Sequence, residues 1–508
     1  MVIIASLLIG LLYTNPVAFA LVILCGILAR ELLKWHFKYW EREHVPGPKP
    51  SLLVGNLGPL LTMKKHLATV CDEWYNAYKD QPFIGYFKVF KPAVFVRDPD
   101  IIKDILVKDQ SSFSANDFKV NTKLDPLLAH NPFVVDGERW KKSRQLLTPI
   151  FTSSKMKTLF PMMERVGKQF VDFIERQGGQ NLEAKSISAA FTTQNVAACA
   201  FSLDAECFEN PKCEWRIMGK KIFQPSIING ITFTITLFVP LVAKIIPMRL
   251  VPKEVDAWMR KMVSGLLQER RTKNVVREDQ LQSLLNLKKA DLTEEIIAGH
   301  ALAFFTEGFE TSSTTLAFLI FNLAENPEVQ ERLFEEIKQG LADNGNVLSY
   351  DVIQKFEYMD WCLQESLRMN PPVAAMQKLA TKRYLLKREV NGKMTGTVIP
   401  EGTTVLIPLM AIQNDPKYYP EPEKFRPERF SQEEKNERPA SVYFPFGDGP
   451  RMCMGMRFAQ AQIKVALSLL IQNFRIRVSP KHKSPWQLDN RTFLIQARDG
   501  LMVSVERR

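Results

Sequence analysis

The 508 residues carry a formal charge of +12, which invites nucleic acid as a partner, but 67 basic residues are interspersed with 55 acidic ones and no basic arm or nucleic-acid motif is present. An acidic partner protein or an anionic membrane surface accommodates the excess better. With 46% hydrophobic residues, 33 Phe, 18 Met and no Gly/Ser-rich linker or repeat, the chain is expected to form one large unit with interior surfaces able to receive apolar ligands.

The first element, residues 3–29, is uncharged. As a helix it would span about 40 Å, against about 30 Å of bilayer hydrocarbon. Asn15-Pro16 interrupts it, which a membrane helix tolerates, and Arg30, Lys34, Lys38 and Arg42 follow it, so the positive-inside rule keeps the bulk of the chain cytosolic. A cleaved signal peptide is disfavoured by the missing basic n-region and the length of the run. "VPGPKP" then reads as a stiff spacer. The expected organisation is an anchor over 1–29, a basic and proline-rich linker over 30–50, and a globular domain over 51–508. Residues 83–99 alternate β-branched and aromatic residues around Lys91-Pro92 and predict a hairpin. Helical periodicity dominates 98–339, and strand-like pieces return in "YLLKREVNGKMTGTVIP", "FRIRVSP" and "GLMVSVERR". The fold class is mainly α with small β-sheets. Residues 227–247 are unusually apolar, but Pro240, Lys244 and Pro247 shorten the clean run. A surface element dipping into a bilayer, or lining a route for apolar ligands, is preferred to a second span.

The seven cysteines make no C-x-x-C pair and no zinc spacing, which predicts reduced thiols, most of them buried as small hydrophobes. One has a distinct setting. "FPFGDGPRMCMG" holds Phe446, Gly449, Arg451, Cys453 and Gly455 ahead of an amphipathic helical run over 456–472. Near a helix N-terminus the dipole and free N–H groups favour a thiolate, and glycines let backbone donors approach the sulfur. A thiolate so held can ligate haem iron. Gly447 and Gly449 also imitate the start of a dinucleotide loop, but the third glycine is Met452 and no strand leads in.

This loop resembles the haem-binding loop of the cytochrome P450 monooxygenases, and distant segments match the same family. "WKKSR" supplies Trp140 and Arg144, whose family counterparts hydrogen-bond a haem propionate. "ESLR" supplies Glu365 and Arg368, one turn apart, and "FRPERF" supplies Arg429, which by resemblance completes a buried Glu-Arg-Arg cluster behind the haem. With the apolar N-terminus and "VPGPKP" the likeness covers nearly the whole chain, and it is similar to microsomal enzymes, particularly insect ones that oxidise foreign or lipophilic compounds. It implies a cytochrome P450 fold behind an N-terminal transmembrane helix in the endoplasmic reticulum. It also implies haem b on the Cys453 thiolate, within a cofactor loop that includes Phe446 and Arg451. No nicotinamide or flavin motif is present, so electrons are expected from NADPH-cytochrome P450 reductase, with cytochrome b5 as a second donor. Lys141 and Lys142 are candidates for docking an acidic surface.

The resemblance also addresses "FFTEGFETSS", residues 304–313, which places Glu307 and Glu310 in an otherwise apolar helical run. The family's central helix carries small-Gly-x-acid-Thr-Thr/Ser over the haem, matched here by Gly308, Glu310, Thr311 and Ser312. By resemblance the helix opens there, Thr311 donates toward dioxygen instead of to the Glu307 carbonyl, and Glu310 links to solvent to deliver protons. Two positions depart from the family pattern. Glu307 stands where alanine or glycine is usual. In the fatty-acid ω-hydroxylase branch a glutamate there can form an ester with a haem methyl group, so the same link is an expectation here, beside a protonated or hydrogen-bonded side chain. Lys378 stands where an arginine often reaches the second propionate, without the bidentate fork. His300, three turns before Thr311, is expected to be an ordinary polar position.

The expected activity is insertion of one oxygen atom of O2 into a lipophilic small molecule. A haem-thiolate isomerase or dehydratase, and a haem carrier or sensor, are the rivals, and the Glu310-Thr311 pair argues against both. By resemblance, 113–128, 373–376 and 493–495 line the substrate site.

Overall fold

The computed structural model describes residues 13–239, 248–287, 292–390 and 393–508, with no side-chain account of 388–395. Its spine is the helix Glu294–Glu325, capped at its start by Thr293, whose hydroxyl accepts the Ile296 N–H. Thirty-two residues long, it is buried on nearly every side, as expected of a helix hydrophobic all round. It packs along Ala184–Phe201, which is equally buried and supplies many small alanines to the contact. The helices Ser153–Arg176, Lys253–Lys273, Glu357–Met369 and Met456–Asn473 complete the helical body.

The sheets are small, and the largest brings distant parts of the chain together. Phe83–Lys88 and Lys91–Val96 form the expected antiparallel hairpin. Its turn falls at Val89-Phe90, so Lys91-Pro92 opens the second strand and does not interrupt the pair. That strand pairs in parallel with Thr404–Ile407, which continues antiparallel to Met376–Leu379 and then Ala115–Asn116. The strands expected in "FRIRVSP" and "GLMVSVERR" pair antiparallel, Val503 opposite Val478, and Leu182–Glu183 adds a third strand. Tyr384–Val390 and Lys393–Ile399 make a separate two-stranded sheet.

At the N-terminus, Pro16–Phe37 is a helix long and apolar enough to cross a membrane, with Asn15 accepting the Ala18 N–H at 3.0 Å as its cap. Pro16 therefore begins this helix. The first part of the expected anchor, 1–12, lies outside the described residues. The 30–50 stretch differs from a free spacer, because Phe37, Trp40 and Val45 are buried against the hairpin. Trp40 Nε1 donates to the Tyr86 carbonyl at 3.0 Å, and a Cβ at Gly85 would lie 2.3 Å from the indole. Gly85 N–H donates to Pro46 O at 2.9 Å, which fastens the proline segment to the same strand. The apolar run expected over 227–247 begins as a helix, Ile227–Phe238, with Ile227, Ile228 and Ile231 exposed. This fits a surface element, and Pro240, Lys244 and Pro247 lie outside the described residues.

Candidate active site

The Cys453 loop is shaped by backbone geometry. Gly447 and Gly449 have φ of +73° and +67°, where a side chain is strained. A Cβ at Gly449 would also stand 2.0 Å from Leu106 O. Cys453 N–H donates to Phe446 O at 2.8 Å, closing the loop just ahead of Met456–Asn473. The helix start lowers the thiol pKa through the Gly455 N–H, as expected from the sequence. Burial and then the Glu307 carboxylate outweigh that and push it up to about 11. A coordinated cation would reverse the balance, since a metal-bound thiol is deprotonated.

Three cations converge beside this loop. Arg144 Nη1 donates to Met452 O at 2.6 Å. Arg451 Nη2 donates to Val135 O at 3.1 Å, while its guanidinium lies 4.3 Å from the Trp140 ring centroid. Lys378 Nζ donates to Asn116 Oδ1 at 2.9 Å, from the strand Met376–Leu379. Among the described residues none of the three forms an ion pair, and Arg451 Nε is buried without a partner. Burial lowers Arg144 and, assisted by Arg144, lowers Arg451 to about 10 against the opposing pull of Asp136. Burial and Arg451 bring Lys378 down to about 7. Uncompensated buried cations are costly. This donor set fits a dianionic group such as the two propionates of a haem.

Across from the loop stands the central helix. Glu307 and Cys453 both border open volume, yet both are densely surrounded by protein, and the carboxylate acts on the thiol electrostatically. They therefore face each other across an enclosed space. Asn131, missed in the sequence, donates to Glu307 Oε1 at 2.6 Å and accepts the Phe133 N–H at 2.7 Å, which fixes the amide. Burial raises the Glu307 pKa, with Asn131 opposing.

Two expectations for this helix need correction. It does not open at Thr311: the helix is continuous and Thr311 Oγ1 donates to Glu307 O at 2.8 Å, the usual back-bond of a mid-helix threonine. Side-chain donors nevertheless gather on the three carbonyls between them. Gln462 Nε2 donates to Gly308 O at 3.0 Å, Thr192 Oγ1 to Phe309 O at 3.0 Å, and Lys185 Nζ to Glu310 O at 3.1 Å. Nor does Glu310 meet solvent directly. It is buried and paired with Lys185 at 2.9 Å, and Lys185 in turn lines a surface groove of about 240 Å³. His300 is buried, and burial depresses its pKa to about 4.

Behind the loop, Glu365 accepts from Arg368 Nε at 2.7 Å and Arg429 Nε at 3.2 Å, all three fully or almost fully buried. Arg368 also donates to Gln413 O, Asn414 Oδ1 and Pro422 O, and Arg429 to Glu421 O. Gln413 carries the network to the cysteine loop by accepting the Phe444 N–H at 3.2 Å. The sequence offered no sign of that link. Two of the expected lining segments meet directly, with Val373 bridged to Leu494 and Ile495 N–H donating to Pro372 O at 3.0 Å. The third is joined to the same sheet by Ala115 opposite Leu379.

A cysteine loop facing a central helix, rimmed by cations and braced by a buried Glu-Arg-Arg cluster, defines a site for a large anionic prosthetic group. The family model described as Cytochrome P450 matches residues 45–503. Probable cytochrome P450 6a13 of Drosophila melanogaster is 35% identical over 491 residues, covering 96% of this chain and 98% of its own length. Cytochrome P450 9e2 of Blattella germanica is 33% identical over 509 residues, covering 93% and 95% respectively. The chain belongs to the cytochrome P450 family, whose members are monooxygenases that bind haem through a cysteine thiolate and generally take electrons from a redox partner.

Two predictions test this geometry. Glu365→Ala leaves two guanidiniums buried without their carboxylate and should cost about 3–5 kcal/mol, read from denaturant unfolding. The second concerns Lys378. Its pKa falls from the ordinary lysine value to about 7 on folding, so above about 7 the unfolded chain binds the extra proton. Stability of the haem-free protein should therefore rise with pH from about 7 toward the lysine value of about 10.4, with the full penalty present below that window. Lys378→Met should flatten this slope in unfolding curves taken across the same range.

Proposed function

We propose that this protein is a membrane-anchored haem-thiolate monooxygenase that inserts one oxygen atom of O2 into a lipophilic small molecule, a xenobiotic or an endogenous lipid or hormone. The observation that carries this reading is Cys453 facing Glu307 across an enclosed space rimmed by Arg144, Arg451 and Lys378. Cys453 would supply the thiolate ligand of the haem, and those three cations with Trp140 would hold its propionates. Phe446 keeps the loop closed through its carbonyl, and Glu365, Arg368 and Arg429 brace the loop from behind. Haem bound here supplies oxygen activation.

The distal residues handle protons. Thr311 holds its proton on Oγ1, now donated to Glu307 O, and rotation of the hydroxyl away from that carbonyl frees it for the enclosed space. Glu310 is paired with Lys185, which lines the groove, and this pairing supports a relay from the groove to the helix. The segments 113–128, 373–376 and 493–495 exclude water and receive substrate.

Electrons come from NADPH through the flavoprotein reductase of the endoplasmic reticulum, with cytochrome b5 as a second donor. Lys141 and Lys142, both exposed on the helix Gly137–Leu147, offer a docking surface. Pro16–Phe37 anchors the enzyme in that membrane with the catalytic domain in the cytosol.

A second reading rests on the placement of Glu307. In a fatty-acid ω-hydroxylase-like enzyme, Glu307 would be the residue joined to the haem as an ester. Its hydrogen bond from Asn131 supports the alternative, a carboxyl held to orient substrate or water.

Three measurements test these assignments. Cys453→Ser should lose the thiolate signature of the reduced carbon monoxide spectrum, and retention of that spectrum would reject the axial role. Thr311→Ala should still bind substrate and consume NADPH, but release more peroxide per product molecule; unchanged coupling would count against proton delivery. Denaturing chromatography after sustained turnover should carry haem absorbance with the polypeptide if the ester forms, and Glu307→Ala should release it. Free haem from the wild-type enzyme would leave the hydrogen-bonded reading.

A further inference from the structure

Cys207 and Cys213 lie outside the catalytic site, in the middle and at the end of the segment 202–213 between the helices Ala184–Phe201 and Glu214–Phe223. Their sulfurs are 3.1 Å apart, and both residues are buried while residues 209–212 between them are exposed. No other described cysteines stand in such contact, and nothing in the proposed chemistry uses these two.

The surroundings hold the pair in place. Cys207 N–H donates to Gln194 Oε1 at 3.1 Å, and Gln194 Nε2 donates to Asp204 Oδ1 at 2.7 Å. Cys213 N–H donates to Asn210 O at 2.9 Å, closing the intervening turn. Glu206 takes a left-handed φ of +55° immediately before Cys207. An approach of about 1 Å would bring the sulfurs to disulfide distance. We propose that Cys207 and Cys213 form a reversible dithiol–disulfide site.

Cys213 is the attacking sulfur. Contact with the Cys207 sulfur, together with the N–H groups of Arg216 and Trp215, lowers its pKa to about 7 against the effect of burial. Cys207 is shifted in the opposite sense. With a small disulfide such as glutathione disulfide as oxidant, the Cys213 thiolate breaks its S–S bond, forms a mixed disulfide and releases one thiolate, which takes up a proton. Cys207 then gives up its proton and displaces the second glutathione as thiolate. Two protein thiols are oxidised and one external disulfide is reduced.

Cys213 is also the residue that precedes the first turn of Glu214–Phe223, and this helix lies on the central helix. Trp215 meets Phe305 at 5.4 Å between ring centroids, and Phe223 meets Phe309 at 5.7 Å. A Cβ at Gly219 would stand 2.7 Å from the Phe309 ring. The oxidation state of the pair is thus coupled to the cover of Phe305 and Phe309, on the face of the central helix away from Glu307.

The test uses the haem-loaded full-length enzyme in detergent, equilibrated with mixtures of reduced and oxidised glutathione and then alkylated. Peptide mass spectrometry should show loss of two hydrogens on the segment containing Cys207 and Cys213, reversed by dithiothreitol, with Cys453 still free of glutathione. Cys207→Ser should instead trap a glutathione adduct on Cys213. Hydrogen exchange of residues 214–223 should slow in the oxidised wild-type enzyme. A wild-type protein that retains the adduct on Cys213, or whose two thiols remain alkylatable at the most oxidising ratio, would overturn the site. Unchanged exchange in a protein shown to carry the disulfide would overturn the coupling.

Discussion

Glu365 is a buried carboxylate whose oxygens are taken by Arg368, Arg429 and the Arg426 N–H. Its energetic position is precarious, because two guanidiniums share one carboxylate in a place closed to water. The remaining donors must find acceptors within the protein, and they do so on the carbonyls of Gln413, Pro422 and Glu421. A cluster of this kind is poor at adding stability and good at fixing a conformation. Those carbonyls lie at the end of the short helix Leu409–Gln413 and in the irregular chain that follows it toward the cysteine loop, and Gln413 passes the constraint on to Phe444. The loop can therefore adopt its positive φ angles at Gly447 and Gly449 and still present Cys453 in one place.

The opposite wall is set by the central helix, which cannot shift without breaking contacts along most of its length. Three consecutive carbonyls, those of Gly308, Phe309 and Glu310, each accept an additional side-chain donor from a neighbouring helix. Additional donors weaken a carbonyl's hold on its own helical N–H. Gln462, Thr192 and Lys185 tie the continuous helix to its neighbours in the turn before Thr311, which is itself back-bonded to Glu307.

The motif residues were legible in the sequence because they sit at fixed local spacings that, occurring together in this order, match one family. Cys453 within its glycines and Glu365 with Arg368 are of this kind, and Arg429 entered by resemblance. Their partners were not legible. Asn131, Lys185, Gln413 and Gln462 are ordinary polar residues whose importance comes from what they touch 125 to 176 positions away for Lys185 and Asn131. The packed proline segment was also hidden, because Trp40 depends on the missing side chain of Gly85, a fact of tertiary contact. Proline content read correctly as extended backbone but could not say that the backbone would be covered.

Glu307 and Glu310 show how one helix can give two carboxylates opposite roles. Three residues at about 100° each place their side chains about 60° from coincidence, and their neighbours separate them further. Glu310 turns to the Ala184–Phe201 helix and meets Lys185, whose charge compensates its burial. Glu307 turns to the enclosed space and meets only an amide, which satisfies one oxygen without supplying charge. The first carboxylate has a cation beside it and, among the described residues, the second does not, and burial accordingly raises the Glu307 pKa. Thr311, one turn beyond Glu307, lies on the Glu307 side of the helix and away from the Lys185 pair, with its hydroxyl donated to the Glu307 carbonyl.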